Sequence, residues 1–309
     1  MGNEDSIVKI RLLFLAWFHL RSRPGPPPSL VKRFSYKDIK KATDGFKRVI
    51  DNSNSSQGAS YKAKFRNGRV ATVKEVMLSD EDNDSFYRTV QILGRLHHRH
   101  IVGLCGFLDG SKRFLVFENT GKGSLKEHLS DPLKTPLNWR IRLQIAIGVA
   151  AAVEYLHFFC DPPVYQVSIS SSTILLDGNL IPKISDICLF RAAGNPGFLP
   201  ASSRCSEVCT GEGCKNMIFQ LGLVILELIT GQSSGNGGVD LIQWVRESNF
   251  SRSIHKMIDP DLGNNYDQRE LNGLLNVARL CIKSVNKPRI YTHQILWYLQ
   301  KKIGTTPRQ

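Results

Sequence analysis

The chain has 309 residues, with 41 basic and 27 acidic side chains for a net charge of +14; 41% of its residues are hydrophobic and 22% are charged. That apolar share excludes a mainly disordered or fibrous chain and suffices for one large domain or two lobes plus a tail. The positive balance favours anionic partners: a membrane, nucleic acid or an acidic protein.

The chain opens Met-Gly-Asn-Glu-Asp-Ser, and Gly2 with Ser6 fits the M-G-x-x-x-[ST] pattern for N-myristoylation. Residues 7–20 read IVKIRLLFLAWFHL, in which the unbroken apolar run is only 12–18, cut short upstream by Lys9 and Arg11. A spanning helix needs about 20 apolar residues, and no small-residue cleavage site follows. The segment therefore reads as an interfacial helix. One acyl chain holds a membrane only weakly. Residues 1–41 carry nine Lys/Arg against three acids, a net +6 that supplies a second membrane signal. Residues 21–33 (RSRPGPPPSLVKR) read as an extended linker, with Pro24 and Pro27 at PxxP spacing.

Two β-rich runs in 59–78 (ASYKAKFRNGRVATVKEVML) flank Asn67-Gly68, the signal of a two-residue hairpin turn. Residues 85–95 have helical spacing, and 101–106 and 113–118 read as further strands. A helical lobe follows. In 139–157, Ile141, Ile145, Val149, Ala152 and Leu156 keep one face apolar. Residues 217–229 (MIFQLGLVILELI) are apolar nearly all round, as in a buried helix too short to span a bilayer. The seven cysteines are odd in number and dispersed, which suits a reducing compartment. Cys205, Cys209 and Cys214 cluster without a histidine or paired metal spacing and read as loop cysteines.

The order of segments resembles the protein kinases of the plant receptor-like, Pelle-related group. The segments are FSYKDIKKATDGF (34–46), VATVKEV (70–76), LGRLHHRHIVGLCGF (93–107), FLVFENTGKGSLKEHL (114–129), LNWRIRLQIAIGVAAAVEYLH (137–157), ILLDGNLIPKISD (174–186), LGLVILELITG (221–231) and MIDPDLGNNYDQRELNGLLNVARLCI (257–282). The resemblance implies a bilobal α+β fold: a small β-rich N-lobe with one main helix over 34–120, and a larger, mainly helical C-lobe over 121–301. Around it lie the basic tail 1–33 and a C-terminal tail 302–309. It also implies that His97, His98 and His100 fill the turn after the N-lobe helix rather than bind metal.

The resemblance then implies the site, position by position. The phosphate loop G-x-G-x-x-G falls on 53–58 (SNSSQG), so only Gly58 remains. Lys74 stands at the V-A-I-K lysine, but the glutamate that pairs with it is Thr89, leaving nothing evident to orient Lys74. Glu118 and Thr120 are further nucleotide-pocket candidates. In the catalytic loop H-R-D-x-K-x-x-N, the aspartate position is Ser168, the lysine Ser170 and the metal-binding asparagine Thr173. No aspartate stands between Val164 and Leu176 under any small shift of register. Serine at neutral pH is not a useful base, and losing a positioned base costs about 10²–10⁴ in rate. Asp186-Ile187-Cys188 stands at D-F-G, which leaves Asp186 as the candidate Mg²⁺ ligand. A-P-E falls on Pro200-Ala201-Ser202, its arginine partner on Lys287, and the aspartate opening the buried helix on Met217.

The expectation is a pseudokinase with no catalytic residues. It would act as a scaffold or regulator of active receptor-like kinases or their substrates, peripheral at the cytoplasmic face of the plasma membrane. No cofactor is required; ATP and Mg²⁺ are what the retained residues would hold. A residual ATP-binding serine/threonine kinase is the alternative. Nucleic acid is not an expected partner, because no aromatic-plus-basic recognition motif accompanies the charge.

Overall fold

The structure is a computed structural model that describes residues 31–51, 58–77, 83–187, 212–232, 239–246, 257–284 and 291–303. The expectations for Gly2 and residues 1–30, for 53–57, Cys188, 200–202, Cys205, Cys209, Lys287 and 304–309 lie outside these residues, as does the side chain of Cys214.

The N-lobe is a six-stranded sheet of β1 (Lys32–Arg33), β2 (Val49–Asp51), β3 (Ser60–Lys64), β4 (Val70–Val76), β5 (Leu104–Leu108) and β6 (Arg113–Glu118). Its order is β1-β5-β6-β4-β3-β2, with β1 parallel to β5 and the other pairs antiparallel. Strand β1 draws Lys32 and Arg33 into the sheet from the segment read as linker. The hairpin differs from the expected two-residue turn. Phe65 N–H bonds Arg69 O at 2.9 Å, and Gly68 N–H bonds Phe65 O at 3.0 Å, leaving 66–68 as the loop. Gly68 takes φ +79°, the left-handed bulge that restores strand twist after an ordinary turn. Strand β5 also starts later than expected. The backbone just before it docks elsewhere: Val102 N–H bonds Ile184 O and Ile184 N–H bonds His100 O, both at 3.0 Å.

Beside the expected main helix, a shorter one also covers this sheet. Helix α1 (Tyr36–Ala42) starts at Ser35, whose hydroxyl oxygen accepts from Asp38 N–H at 3.2 Å. It buries Ile39 and Ala42 in a small cluster with Ala63, Ala71, Val73, Leu108, Phe114 and Val116. Helix α2 (Asn83–Arg95) lies on the other side of the sheet and buries Phe86, Val90 and Leu93 in the main core.

In the C-lobe, α3 (Leu125–Ser130) opens with a capping box between Ser124 and Glu127. Helix α4 (Trp139–Glu154) is capped by Asn138 and runs into a π-helical turn, Tyr155–Phe159. Ile145, Val149, Ala152 and Leu156 are fully buried as expected, and Ile141 is half-buried. The span Trp139–Phe159 is long and apolar enough to cross a membrane, yet most of it is packed inside the fold. A two-stranded ribbon follows, β7 (Ile174–Leu176) with β8 (Pro182–Ile184). Helices α5 (Glu212–Thr230), α6 (Val239–Arg246), α7 (Gln268–Lys283) and α8 (Thr292–Tyr298) complete the lobe. Gly222 lets α5 and α7 close together, since a Cβ there would sit 2.7 Å from Cys281 Cβ.

Candidate functional site

Successive residues of β4 point to opposite faces of the sheet. Ala71 and Val73 are buried with α1, so Thr72 and Lys74 face the opposite way. There Lys74 Nζ lies 3.7 Å from Asp186 Oδ1, with side chains 30% and 20% exposed. Lys74 thus has an orienting carboxylate after all, supplied by the C-lobe. The expected partner position, Thr89, is 2% exposed and shares the buried stripe of α2 with Phe86, Val90 and Leu93.

The segment bearing Ser168, Ser170 and Thr173 is a turn fastened to Asp186 through backbone. Ser168 N–H donates to Asp186 O at 3.0 Å, and Val167 bridges Ile187. Ser185 donates to Thr173 O from both its N–H, at 3.0 Å, and its hydroxyl, at 2.8 Å. Inside the turn, Ser170 N–H donates to Thr173 Oγ1 at 2.9 Å, and the Thr173 hydroxyl donates to Ser168 O at 2.8 Å. Ser170 Oγ lies 2.8 Å from Ser172 Oγ and 3.2 Å from Thr173 Oγ1. Ser170 and Thr173 are therefore committed to one another and to backbone. A neutral hydroxyl has neither the charge nor the basicity of a carboxylate.

Gly58 packs on β4 beside Glu75, and the Glu118 carboxylate turns to the other face of the sheet. Gly58 takes φ +82°, and a Cβ on it would overlap the Glu75 carbonyl, so β4 itself demands glycine here. Glu118 is the cross-strand partner of Ala71, and such partners share a face. Its carboxylate therefore points away from Lys74. One oxygen accepts from Lys183 Nζ at 2.7 Å and from Gly103 N–H at 3.1 Å. The Glu118 N–H is taken as well, donating to Gly103 O at 3.0 Å. Thr120 is 9% exposed, and its carbonyl accepts from Lys122 N–H at 3.1 Å. His97, His98 and His100 fall in the turn after α2. His98 stacks on Tyr155 with centroids 4.9 Å apart. Burial, with His100 and Arg99 nearby, brings its imidazole down to about 4.

Magnesium demands a near-octahedral set of oxygens. Among the described residues Asp186 offers the carboxylate at this centre, and the Thr173 hydroxyl is turned to a carbonyl. Among the described residues no group of three His, Cys, Asp or Glu converges as a metal site would require. The described residues do not by themselves make up such a set. Lys74 retains the charge to meet a phosphate.

Known proteins share this architecture. The family described as protein tyrosine and serine/threonine kinase matches residues 54–204. A probable receptor-like protein kinase of Arabidopsis thaliana is 35% identical over 289 residues, 87% of this chain and 43% of the relative. PBL21, a probable serine/threonine-protein kinase of the same plant, is 31% identical over 279 residues, 83% of this chain and 72% of the relative. The chain belongs to the protein kinase family. Within that family its relatives are plant receptor-like kinases, as the sequence resemblance implied. The chain spans less than half the length of the receptor-like relatives it first matches, at 43%, 47% and 32%. The solved pseudokinase domain of BIR2, an immune regulator of the RLK/Pelle family, is 26% identical with a TM-score of 0.73, over 91% of this chain and 86% of that one. Two further solved pseudokinases overlay at TM-scores of 0.72, one at 22% identity over 93% of this chain and 99% of that one. The other is at 21% identity over 91% and 100%. At such identities they show the shared bilobal fold.

Two long-range fastenings in the C-lobe escape the sequence. Met217, at the position where the resemblance implies an aspartate in the family, is buried at 1% exposure in α5. One turn on, Gln220 Oε1 accepts from Ile169 N–H at 2.8 Å and fastens the serine-rich turn to α5. The one sequence signal was a glutamine inside an otherwise apolar run. The second fastening is an ion pair in the C-lobe core. Arg142 Nη2 lies 2.6 Å from Asp259 Oδ2, Arg142 Nε donates to Leu137 O at 2.7 Å, and Nη1 donates to Leu228 O at 2.9 Å.

Proposed function

We propose that this chain is a pseudokinase, a kinase fold used as a regulatory binding module rather than a phosphotransferase. One observation carries the reading. Ser170 and Thr173, in the turn where a kinase needs a charged acceptor and a metal ligand, are neutral and hydrogen-bonded to each other and to backbone. Ser168, at the position of the proton acceptor, is neutral as well. Phosphoryl transfer depends on positioning and on charge stabilisation, and this turn supplies neither a carboxylate nor a second metal ligand. The likeness to pseudokinases, including an immune regulator, supports the same reading. The test is incorporation of labelled phosphate from ATP into the chain and a generic substrate, with Mg²⁺. Incorporation should not exceed that of a Lys74→Met variant. Incorporation that disappears in Asp186→Asn would overturn the proposal in favour of a residual serine/threonine kinase.

The module is proposed to dock on active receptor-like kinases or their substrates at the cytoplasmic face of the plasma membrane. Receptor-like relatives and the basic tail with its Gly2 acylation pattern support this. A Gly2→Ala variant should move from the membrane to the soluble fraction; unchanged fractionation would remove the acyl anchor from the proposal.

A second reading, ATP as a conformational ligand without chemistry, is favoured by the Lys74–Asp186 pair. Nucleotide that binds the native state raises its apparent stability. A saturable rise in Tm with ATP that is lost in Lys74→Ala supports it. No shift at millimolar ATP leaves a nucleotide-independent module.

A further inference from the structure

The face of the N-lobe sheet turned away from Lys74 carries an open cavity of about 740 Å³. It lies between β1, α1 and the β3–β4 hairpin. Its rim holds five cations: Lys32 on β1, Lys41 on α1, and Lys64, Arg66 and Arg69 on the hairpin. All five are exposed, and none forms an ion pair with a described residue. Two acids face the same cavity, Asp38 and Glu118, and both are engaged. Asp38 accepts from the Ser35 hydroxyl at 2.7 Å, which, with Lys32 and Arg66 nearby, holds its carboxyl below the usual range. Glu118 is held by Lys183. The floor is apolar, with Phe34 stacked on Phe65 at 4.9 Å between centroids.

The charge is concentrated on this part of the chain. Residues 31–77 hold 12 Lys/Arg and four Asp/Glu, a net +8 out of the total +14. Like charges gathered round a concave surface, with the nearby acids already engaged, call for an anion. The position selects which anion. Strand β1 forms one wall of the cavity and follows directly on the 30-residue stretch outside the described residues, which carries the apolar run and the acylation pattern. A membrane held by that stretch would lie within the reach of the linker from the cavity mouth.

We propose that this cavity binds the phosphorylated headgroup of an anionic membrane lipid and so fixes the orientation of the N-lobe on the membrane. The site rests on the membrane reading above, but its chemistry can be tested apart from the anchor.

The experiment uses the full chain and two probes: free inositol trisphosphate by calorimetry, and sedimentation with phosphatidylcholine vesicles containing either phosphatidylinositol bisphosphate or phosphatidylserine at equal charge. The variant is Lys64→Glu/Arg66→Glu/Arg69→Glu. Its control makes the same charge change on the exposed C-lobe residues Lys126, Arg269 and Lys283. Equal melting temperatures for the two variants show that both are folded. The hairpin variant should bind phosphoinositide vesicles at least about 100-fold more weakly, since losing three basic residues beside an anionic surface has that effect before the added negative charges are counted. It should also lose inositol trisphosphate binding, while the control keeps both. Equal binding to phosphatidylserine and phosphoinositide vesicles would overturn the site and leave only diffuse charge. Binding of free inositol trisphosphate without vesicle recruitment would assign the cavity to a soluble ligand, against the proposal. Capture of an acidic peptide but not of the inositol phosphate would overturn it too. A Gly2→Ala chain that still binds inositol trisphosphate but leaves the membrane separates failure of the site from failure of the anchor.

Discussion

Replacing Arg142 with methionine should be among the most damaging single changes to the C-lobe. Arg142 is 1% exposed and Asp259 is 6% exposed. The guanidinium meets the carboxylate at 2.6 Å and also holds the carbonyls of Leu137 and Leu228. Methionine fills much of the volume but strands a buried carboxylate and removes donors from two buried carbonyls. Breaking a buried pair from one side costs about 3–5 kcal/mol. At roughly 2–4 °C per kcal/mol for a unit of this size, Tm should fall by about 10 °C. The assay is urea and thermal unfolding of the single variants Arg142→Met and Asp259→Asn and of the double variant. The double variant removes both charges, so its cost should fall short of the summed single costs by about 2 kcal/mol. Asp259 Oδ1 also accepts from Asp261 N–H at 3.0 Å, a bond that asparagine retains through its carbonyl oxygen. An Arg142→Met chain within about 1 kcal/mol of the parent would refute the reasoning, because the stranded carboxylate would then have found water or another partner. So would strictly additive single costs.

Gly58→Ala should destabilise the N-lobe by more than about 1 kcal/mol in thermal unfolding, because left-handed backbone and the Glu75 carbonyl both oppose a Cβ. Unchanged stability would show that the 58–59 backbone is free to move off β4. Gln220→Ala should speed hydrogen exchange at the Ile169 amide and cost about 1 kcal/mol, one part-buried hydrogen bond; unaltered exchange would remove Gln220 as the fastening of that turn. The depressed His98 imidazole sets a pH dependence. The unfolded chain takes up its proton near pH 6.5 and the folded chain only near pH 4, so this contribution to stability is complete above pH 6.5 and is lost as pH falls toward 4. His98→Phe, which keeps a ring against Tyr155, should flatten that part of the stability profile; an unchanged slope would assign it to other groups.

The two strands within 59–78 were legible from their β-rich composition and the Asn67-Gly68 turn signal between them, but that Lys74 faces away from Ala71 and Val73 was read only in the folded sheet. The apolar stripe of α4 and the all-round apolar run of α5 were legible because burial selects residue type directly. The lack of a carboxylate between Val164 and Leu176 needs no coordinates at all. Helix α1 was less plain, with only Ser35, Asp38, Ile39 and Ala42 to mark it. What the sequence could not determine is which side chains meet across the fold. The carboxylate beside Lys74 is Asp186 and not a residue of α2. Glu118 turns from the cleft to Lys183, Gln220 holds Ile169, and Arg142 finds Asp259. Local periodicity says which face a residue occupies. It does not say which distant segment docks there, because that follows from long-range packing of whole elements. The five cations of the N-lobe cavity likewise come from a strand, a helix and a hairpin, and only the folded sheet brings them to one rim.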